Sequence, residues 1–172
     1  MTRGDVSAPT ALTESHDLAS FDCGVASLNE WLKNRALKNE RSGASRTYVL
    51  CAARRVIGYH CLATGAVDHD GAPNPLRRNM PDPIPVLVLG RLAIDRQYQN
   101  RNLGRALVRD AIVRATQAAE IVGAVALLVH ALSEEARRFY RSCGFIDFPA
   151  QPMTLCLLMR TAYQTRTRPV RN

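Results

Sequence analysis

Two nearly continuous apolar runs, separated by a long helical pattern, constrain the fold of this chain more than any other feature. The runs extend from Val86 to Asp95 and from Ala124 to His130, and strands that are covered on both faces have this composition. Between them, the segment from Leu103 to about Ile121 repeats apolar residues at helical spacing. This strand–helix–strand order predicts one right-handed crossover between parallel strands. The inward face of the helix is expected to use Leu103, Leu107, Ala111, Ala115 and Ala118.

The N-terminal half predicts a helix followed by a β-hairpin. Apolar residues from Val25 to about Arg41 recur at helical spacing, and Gly43 is expected to end that helix. The β-rich runs Thr47–Ala53 and Val56–Val67 are predicted to pair as an antiparallel hairpin. The segment Asp68–Pro85 contains five of the nine prolines and is expected to lack regular structure.

The C-terminal third predicts a second helix and a last strand. Ser133 is a suitable N-cap for a helix that reaches Cys143, and Gly144 is expected to end it. The last strand is predicted from about Met153 to Met159. We therefore expect one α/β (or α+β) domain over residues 1–172, with a mixed sheet flanked by helices. A basic tail is expected from about residue 160, where no acidic residue occurs.

Positive charge is the main compositional feature of the chain. It has 23 Lys and Arg residues against 15 Asp and Glu, a formal net charge of +8, and all but two of the basic residues are Arg. The guanidinium fork suits phosphate, and a pI near 9.8 suggests a polyanionic partner. An Arg-favouring codon bias in a GC-rich genome is the alternative explanation.

Several protein classes are not expected. The longest apolar stretch, Ile121–Val129, is far shorter than a membrane span. The N-terminus lacks the apolar core of a signal peptide, so a cytoplasmic location is expected. The cysteines and histidines are scattered without metal-ligand spacing, which predicts no metal site and buried, reduced thiols.

The junction after the first buried strand is the segment richest in chemistry. Free backbone N–H groups and the positive end of the helix dipole occur at such a helix start, which therefore binds phosphate readily. Gly104 allows close backbone approach, and Asn102 tolerates the left-handed conformation. The alternative is a polar turn that only solvates the helix start. The candidate phosphate-binding residues are Gln99, Asn100, Arg101, Asn102, Leu103, Gly104 and Arg105.

Two motifs in this region resemble the Gcn5-related N-acetyltransferases (GNATs). The block Leu92-Ala93-Ile94-Asp95, followed by Gln99-x-x-Asn102-x-Gly104, resembles their acyl-CoA motif Q/R-x-x-G-x-G/A. The block Phe139-Tyr140-x-x-Cys143-Gly144-Phe145 resembles their later F/L-Y-x-x-x-G-F motif. Asn102 stands where the family usually has Gly.

The N-terminal part resembles one GNAT subfamily, the acetyltransferase toxins of bacterial toxin–antitoxin pairs. The similarity lies in His16-x-x-x-x-Phe21-Asp22-Cys23-Gly24-x-x-x-Leu28-Asn29-x-Trp31-Leu32, in Leu89-Gly90-Arg91 and in Leu128–Ser133. The resemblance implies acetylation of the α-amino group of aminoacyl-tRNA by acetyl-CoA, with no metal, which blocks translation. It also implies a cognate ribbon-helix-helix antitoxin and a homodimer.

The resemblance also implies residue roles. Backbone groups of Leu92, Ala93 and Ile94 are expected to meet the pantetheine amides, and residues 101–105 the pyrophosphate. Tyr140 matches the position of the subfamily's general acid, whereas a core aromatic residue beside Phe139 is the other interpretation. Ser133 and Phe139 are further candidates for cofactor contact, although Ser133 is equally suited to be only a helix cap.

Basic side chains are the candidates for RNA contact, although exposed charges are often only solvated. The candidates are Lys33, Arg35, Lys38, Arg77 and Arg78, with Arg41 and the C-terminal arginines Arg160, Arg166, Arg168 and Arg171 as further possibilities. Two other functions remain open: an acetyltransferase for a small-molecule amine or a protein N-terminus, and a non-catalytic acyl-CoA- or RNA-binding module.

Overall fold

The chain folds into two compact units in the computed structural model. The structure describes residues 5–167, apart from the side chains of residues 165–167. The first unit contains the residues up to Ala63 together with Gly90–Ala111. The second contains Thr64–Leu89 and the residues from Ile112 onward. The strands β3 (Arg55–Val67) and β4 (Ile84–Ile94) each contribute to both units. The predicted arginines Arg168 and Arg171 lie outside the described residues.

The described strands form a seven-stranded mixed sheet in the order β1-β2-β3-β4-β5-β7-β6. This sheet, flanked by helices, confirms the predicted fold class. Besides β3 and β4, the strands are β1 (Thr10–Ala11), β2 (Arg46–Ala52), β5 (Ala126–His130), β6 (Ile146–Phe148) and β7 (Gln151–Leu158). The helices are α1 (Ala26–Asn34), α2 (Ala36–Ser42), α3 (Asn74–Arg77), α4 (Leu103–Val122), α5 (Glu134–Ser142) and α6 (Met159–Thr167).

The two buried strands β4 and β5 are parallel, as predicted. Their pairing runs from Leu87 opposite Leu127 to Leu89 opposite Val129, and β4 then continues to Ile94. The strands β2 and β3 pair as an antiparallel hairpin, as predicted from the two β-rich runs. The short strands β1 and β6 were not predicted, because two- and three-residue strands carry no hydrophobic period. The helix α6 was not predicted either, since its residues were assigned to the end of the last strand and to the basic tail.

Helix α4 buries the face that its sequence indicates. Leu107, Ala111 and Ala115 are fully buried, while Leu103 and Ala118 are half-buried. In the first unit, Leu107 packs with Leu50, Ile57 and Ile94.

The predicted single helix from Val25 to Arg41 is wrong, because the chain forms two helices that meet at Arg35. The Arg35 N–H donates to the Trp31 carbonyl 2.8 Å away, and its φ of −121° ends α1. Asn34 favours such an end, since its side chain competes for backbone hydrogen bonds. The break allows both Leu32 and Ala36 to be fully buried.

The prediction that the segment Asp68–Pro85 lacks regular structure is also wrong in part. One turn of helix, α3, forms after Pro73, and its Leu76 is 2 % exposed. Strand β4 begins at Ile84 and so includes Pro85. Burial of Leu76 with Ile84 and Phe148 stabilises this turn, a long-range effect that local sequence cannot indicate.

The cysteines are all free thiols, and Cys51, Cys61 and Cys156 are buried as predicted, whereas Cys23 and Cys143 are half-buried. Among the described residues, no group of three or more His, Cys, Asp and Glu side chains could hold a metal ion. No helix within residues 5–167 has the length and apolar character needed to cross a bilayer.

Gly58 provides a test of the packing between β3 and α4. A Cβ at this position would lie 2.7 Å from the Ile94 Cδ1 atom and 3.4 Å from Leu107 Cδ1. We expect Gly58→Ala to lower the free energy of unfolding by about 1–3 kcal/mol through overpacking, measured by urea denaturation.

The matched control is the same substitution in an Ile94→Val background, which removes the clashing Cδ1 atom. The two changes should then be strongly non-additive, with Gly58→Ala less destabilising than in the wild type. Additive effects would contradict the steric explanation.

Candidate acyl-CoA site and its supporting residues

The loop that precedes α4 has the backbone geometry of an anion-binding helix start. Asn100 and Asn102 both adopt left-handed conformations, with φ of 61° and 60°. The Ala106 N–H donates to the Asn102 carbonyl at 3.2 Å, so the N–H groups of Leu103 and Gly104 precede the first intrahelical bond. Asn102 thus adopts a conformation that glycine adopts readily, which removes the conformational objection to its replacement of glycine.

The charges around this loop suit a pyrophosphate. The first turn of α4 contains no acidic residue. Arg101 and Arg105 are exposed, and the Arg101 guanidinium lies 5.0 Å from the centre of the Tyr98 ring. The helix dipole adds positive potential at the same place. The residues present therefore fit the diphosphate of an acyl-CoA.

Gln99 positions this loop through its side chain. Its Nε2 atom donates to the carbonyl of Ile94 at 2.9 Å and to the carbonyl of Cys23 at 3.1 Å. The amide group therefore connects the end of β4 to the N-terminal segment. Sequence reasoning assigned Gln99 to cofactor contact, and the structure uses the amide nitrogen of its side chain for these backbone bonds.

Asp95 is the residue that sequence reasoning missed. Its carboxylate is 2 % exposed and accepts hydrogen bonds from the Gln97 N–H at 3.0 Å and the Asp22 N–H at 3.1 Å. It also forms an ion pair with the Arg55 guanidinium at 3.1 Å. A charged residue directly after a buried strand was the signal that could have indicated it, since buried carboxylates need partners.

The N-terminal motif that resembles the toxins contains Asp22, whose N–H binds the Asp95 carboxylate. Asp22 accepts from the Gly24 N–H and from the Asn29 side chain, each at 2.9 Å. The Gly24 N–H and then the Asn29 amide hold the pKa of Asp22 below its ordinary value. The Arg96 N–H donates to the Asp22 carbonyl at 2.9 Å. Gly24 has a φ of 91°, a conformation that side chains rarely adopt.

The backbone of β4 beyond its pairing with β5 contains the residues predicted to meet pantetheine. Leu92 is half-buried, whereas Ala93 and Ile94 are buried. Together with residues 99–105 they belong to the first unit. The structure therefore brings the strand and the loop of the predicted acyl-CoA site into one compact unit.

Tyr140 lies in the second unit, on α5, and is 7 % exposed. Its ring centre is 5.3 Å from that of Phe139 and 5.6 Å from that of Phe145, in an edge-on arrangement with the latter. Burial, with a smaller effect of Cys143, raises the pKa of the Tyr140 phenol above its ordinary value. Within the described residues, no hydrogen bond of this hydroxyl is found.

Ser133 is the N-cap of α5, as its sequence position predicts. Its hydroxyl oxygen accepts from the Ala136 N–H at 3.1 Å, and the acidic residues Glu134 and Glu135 occupy the first turn. The cap uses one acceptor position of this hydroxyl. Phe139 is half-buried on the same helix.

The basic residues predicted to contact RNA are exposed. Lys33 lies on α1, Arg35 at the junction and Lys38 on α2, all in the first unit. Arg77 and Arg78 lie at the end of α3 in the second unit, where Arg77 donates to the Asn74 side chain at 2.6 Å. Arg41, a further possibility, forms an ion pair with Glu14 instead.

The loop before α4 has geometry and charge that suit a diphosphate, and together with a mixed sheet of this order it indicates a protein of the acyl-CoA-binding class. The sequence pattern described as the acetyltransferase (GNAT) domain matches residues 43–147. The chain belongs to the GNAT acetyltransferase family.

One relative and two solved structures show which members of the family this chain is similar to. A protein of Mycobacterium tuberculosis named "tRNA-acetylating toxin" is 49 % identical over 91 % of this chain and 94 % of its own length. The structure of AtaT complexed with acetyl-methionyl-tRNAfMet superposes with a TM-score of 0.87, at 32 % identity, over 95 % of this chain and 100 % of that one. A tyrosine-to-phenylalanine variant of AtaT bound to the C-terminus of the antitoxin AtaR superposes with a TM-score of 0.83, at 32 % identity. This superposition covers 96 % of this chain and 99 % of that one.

Substitution of Asp95 tests whether its carboxylate supports the site. Asp95→Ala leaves the N–H groups of Asp22 and Gln97 and the Arg55 guanidinium without their acceptor. We expect a loss of about 3 kcal/mol in the free energy of unfolding, measured by urea denaturation. The control Asp70→Ala alters an exposed carboxylate and should change that free energy by less than about 0.5 kcal/mol. Similar losses in both variants would refute the assignment.

Proposed function

We propose that this chain is the toxin of a toxin–antitoxin pair and transfers acetyl from acetyl-CoA to the α-amino group of aminoacyl-tRNA, which blocks translation. The observation that carries the proposal is the similarity to the tRNA-acetylating toxin of Mycobacterium tuberculosis, which extends over 91 % of the chain. The AtaT structure with acetyl-methionyl-tRNAfMet supports the same class of substrate.

Acetyl-CoA binding is assigned to the first unit. Backbone groups of Leu92, Ala93 and Ile94 meet the pantetheine amides, and the N–H groups at the start of α4 bind the pyrophosphate. Gln99 and Asn100 shape the loop, and Arg101 and Arg105 add positive charge. AtaTR has also been solved bound with acetyl-CoA, and the matching chain is 32 % identical to this one.

The chemistry requires a neutral amine but no strong base. A free α-amine has a pKa of about 7.7–8.0, and esterification of the neighbouring carboxyl group lowers it further. The nitrogen lone pair attacks the thioester carbonyl carbon, the C–N bond forms, and the C–S bond breaks. The nitrogen loses its proton to solvent, and the departing sulfur takes up one proton. The products are the acetylated aminoacyl-tRNA and the free thiol of CoA.

Tyr140 is assigned as the acid that provides the proton to the departing sulfur. Its buried ring fixes the direction of the C–O bond, and a phenol, whose ordinary pKa is about 10, carries its proton at neutral pH. The hydroxyl regains its proton from solvent after each turnover. Phe139 packs beside the ring, and Ser133 fixes the start of the helix that contains both residues.

The tRNA is assigned to the basic surface. Lys33, Arg35, Lys38, Arg77 and Arg78 are exposed and offer phosphate contacts, which supply affinity without reading the sequence. The excess of arginine over lysine suits such contacts.

The partner implied for such a toxin is an antitoxin. AtaT has been solved bound to the C-terminus of its antitoxin AtaR, and we propose a cognate antitoxin of the ribbon-helix-helix type for this chain. We further propose that the protein is a cytoplasmic homodimer formed by one acetyltransferase domain per chain. A small ribbon-helix-helix gene beside this one is the genomic feature that the proposal requires.

Incubation with radiolabelled acetyl-CoA tests the substrate directly. We expect label on charged tRNA only, because deacylated tRNA lacks the free α-amine. Mild alkaline hydrolysis should release the label as N-acetyl amino acid. Equal labelling of deacylated tRNA, or labelling only of proteins or polyamines, would reject this function and favour another acetyltransferase substrate.

Tyr140→Phe tests the proposed acid. The change retains the ring packing and removes only the hydroxyl, so acetyl-CoA affinity measured by calorimetry should persist. We expect turnover to fall by about 10²–10⁴-fold. The matched control is Tyr163→Phe, which removes a hydroxyl that bonds the Thr116 carbonyl and should retain turnover. Wild-type turnover of Tyr140→Phe would show that Tyr140 is only a packing residue.

A further inference from the structure

Arg91 is part of a stack of three side chains in the first unit. Its guanidinium carbon lies 4.5 Å from the centre of the Trp31 ring. Trp31 in turn stacks on Tyr59, with ring centres 5.9 Å apart and planes 11° from parallel. Tyr59 is fully buried, and its hydroxyl donates to the Leu28 carbonyl at 2.8 Å. The inner end of the stack is therefore fixed by the core.

The position of Arg91 in β4 places this stack beside the proposed acyl-CoA strand. Ala93 lies two residues further along β4, on the same face of the strand, and packs in one cluster with Tyr59, Leu32 and the partly buried Trp31. Arg91 directly precedes Leu92–Ile94, the residues assigned to pantetheine. A cation at this point lies next to the strand where acetyl transfer is proposed.

The guanidinium is charged and is not neutralised by a carboxylate. Among residues 5–164, whose side chains are described, Arg91 forms no ion pair, whereas Arg55 and Arg141 pair with Asp95 and Asp147. Burial raises the pKa of the Cys61 thiol, and contact with Arg91 opposes that rise. The Arg91 side chain also hydrogen-bonds the Cys61 sulfur. A guanidinium has five donors in its plane, so stacking on a ring and this one contact leave further in-plane donors for a ligand.

The surrounding helix pair is basic overall, since residues 26–42 contain four basic side chains and two acidic ones, Glu30 and Glu40. Trp31 belongs to α1, and the same helix pair contributes the exposed cations Lys33, Arg35 and Lys38. No ion pair of these three residues is found in the described part of the chain. The stack thus belongs to a segment of net positive charge, in which Arg91 is held against the Trp31 ring.

We propose that Arg91, held by Trp31, binds a phosphodiester group near the aminoacylated 3′ end of tRNA. This inference rests on the proposed function, since it needs a charged tRNA. A planar guanidinium pairs well with phosphate oxygens. Because the stack already restricts the side chain, little conformational entropy is lost when the phosphate binds.

Arg91→Gln measures this contact against a matched control. The control is Arg54→Gln, which removes an exposed arginine of the same unit, for which no aromatic ring contact is found within the described residues. We expect Arg91→Gln to raise the KM for charged tRNA by about tenfold or more, with kcat changed much less. The slope of log affinity against log salt should also fall by about 0.7, the value for one single-strand phosphate. Arg54→Gln should behave like the wild type.

Arg91→Lys retains the charge and removes the planar fork, so it should recover only part of the lost affinity. This variant also provides the test if Arg91→Gln fails to fold, which a thermal melt would reveal. Acetyl-CoA affinity, measured by calorimetry, should be unchanged in all variants.

Three outcomes would overturn the assignment of Arg91 while the wild type still labels charged tRNA. They are an unchanged KM in Arg91→Gln, an equal loss in Arg54→Gln, or weaker acetyl-CoA binding, which would place the phosphate on the cofactor. A wild-type protein that does not label charged tRNA would overturn the proposed function itself, and this inference with it.

Discussion

The buried carboxylate of Asp95 is the interaction on which the architecture of the acyl-CoA site depends. It lies where β4 ends and binds the Asp22 N–H, the Gln97 N–H and the Arg55 guanidinium. A carboxylate that is 2 % exposed is stable only when its oxygens are paired. These pairs fix the direction in which the chain leaves the strand, and Gln99 then connects the following loop to the same strand end.

The loop geometry follows from this anchoring. Asn100 and Asn102 adopt left-handed conformations that turn the chain into α4 and leave its first N–H groups at the helix start. Asparagine tolerates this conformation better than other residues with a Cβ. The positive end of the helix dipole and an acid-free first turn then favour an anion. Backbone groups therefore supply much of the proposed binding, which explains why few side chains identify the site.

The elements that could be predicted from sequence are those with a local cause. The apolar runs identified β4 and β5, two β-rich runs identified the β2–β3 hairpin, and Ser133 identified the start of α5. The break at Arg35 and the turn of α3 could not be predicted, because burial against distant residues decides them. The Asp95 pairs likewise join residues up to 73 positions apart.

The sequence by itself determined the family, the parallel strand pair and the helix start that suits phosphate, because these depend on hydrophobic period, backbone propensity and motif spacing. It also fixed the net charge of +8. Only the tertiary structure decided which arginine side chains pair with a carboxylate and which do not. Arg55 is paired with Asp95, whereas Arg91 stacks on Trp31. The physical reason is that a side chain's partners come from strands and helices distant in sequence, which only folding brings within hydrogen-bonding distance.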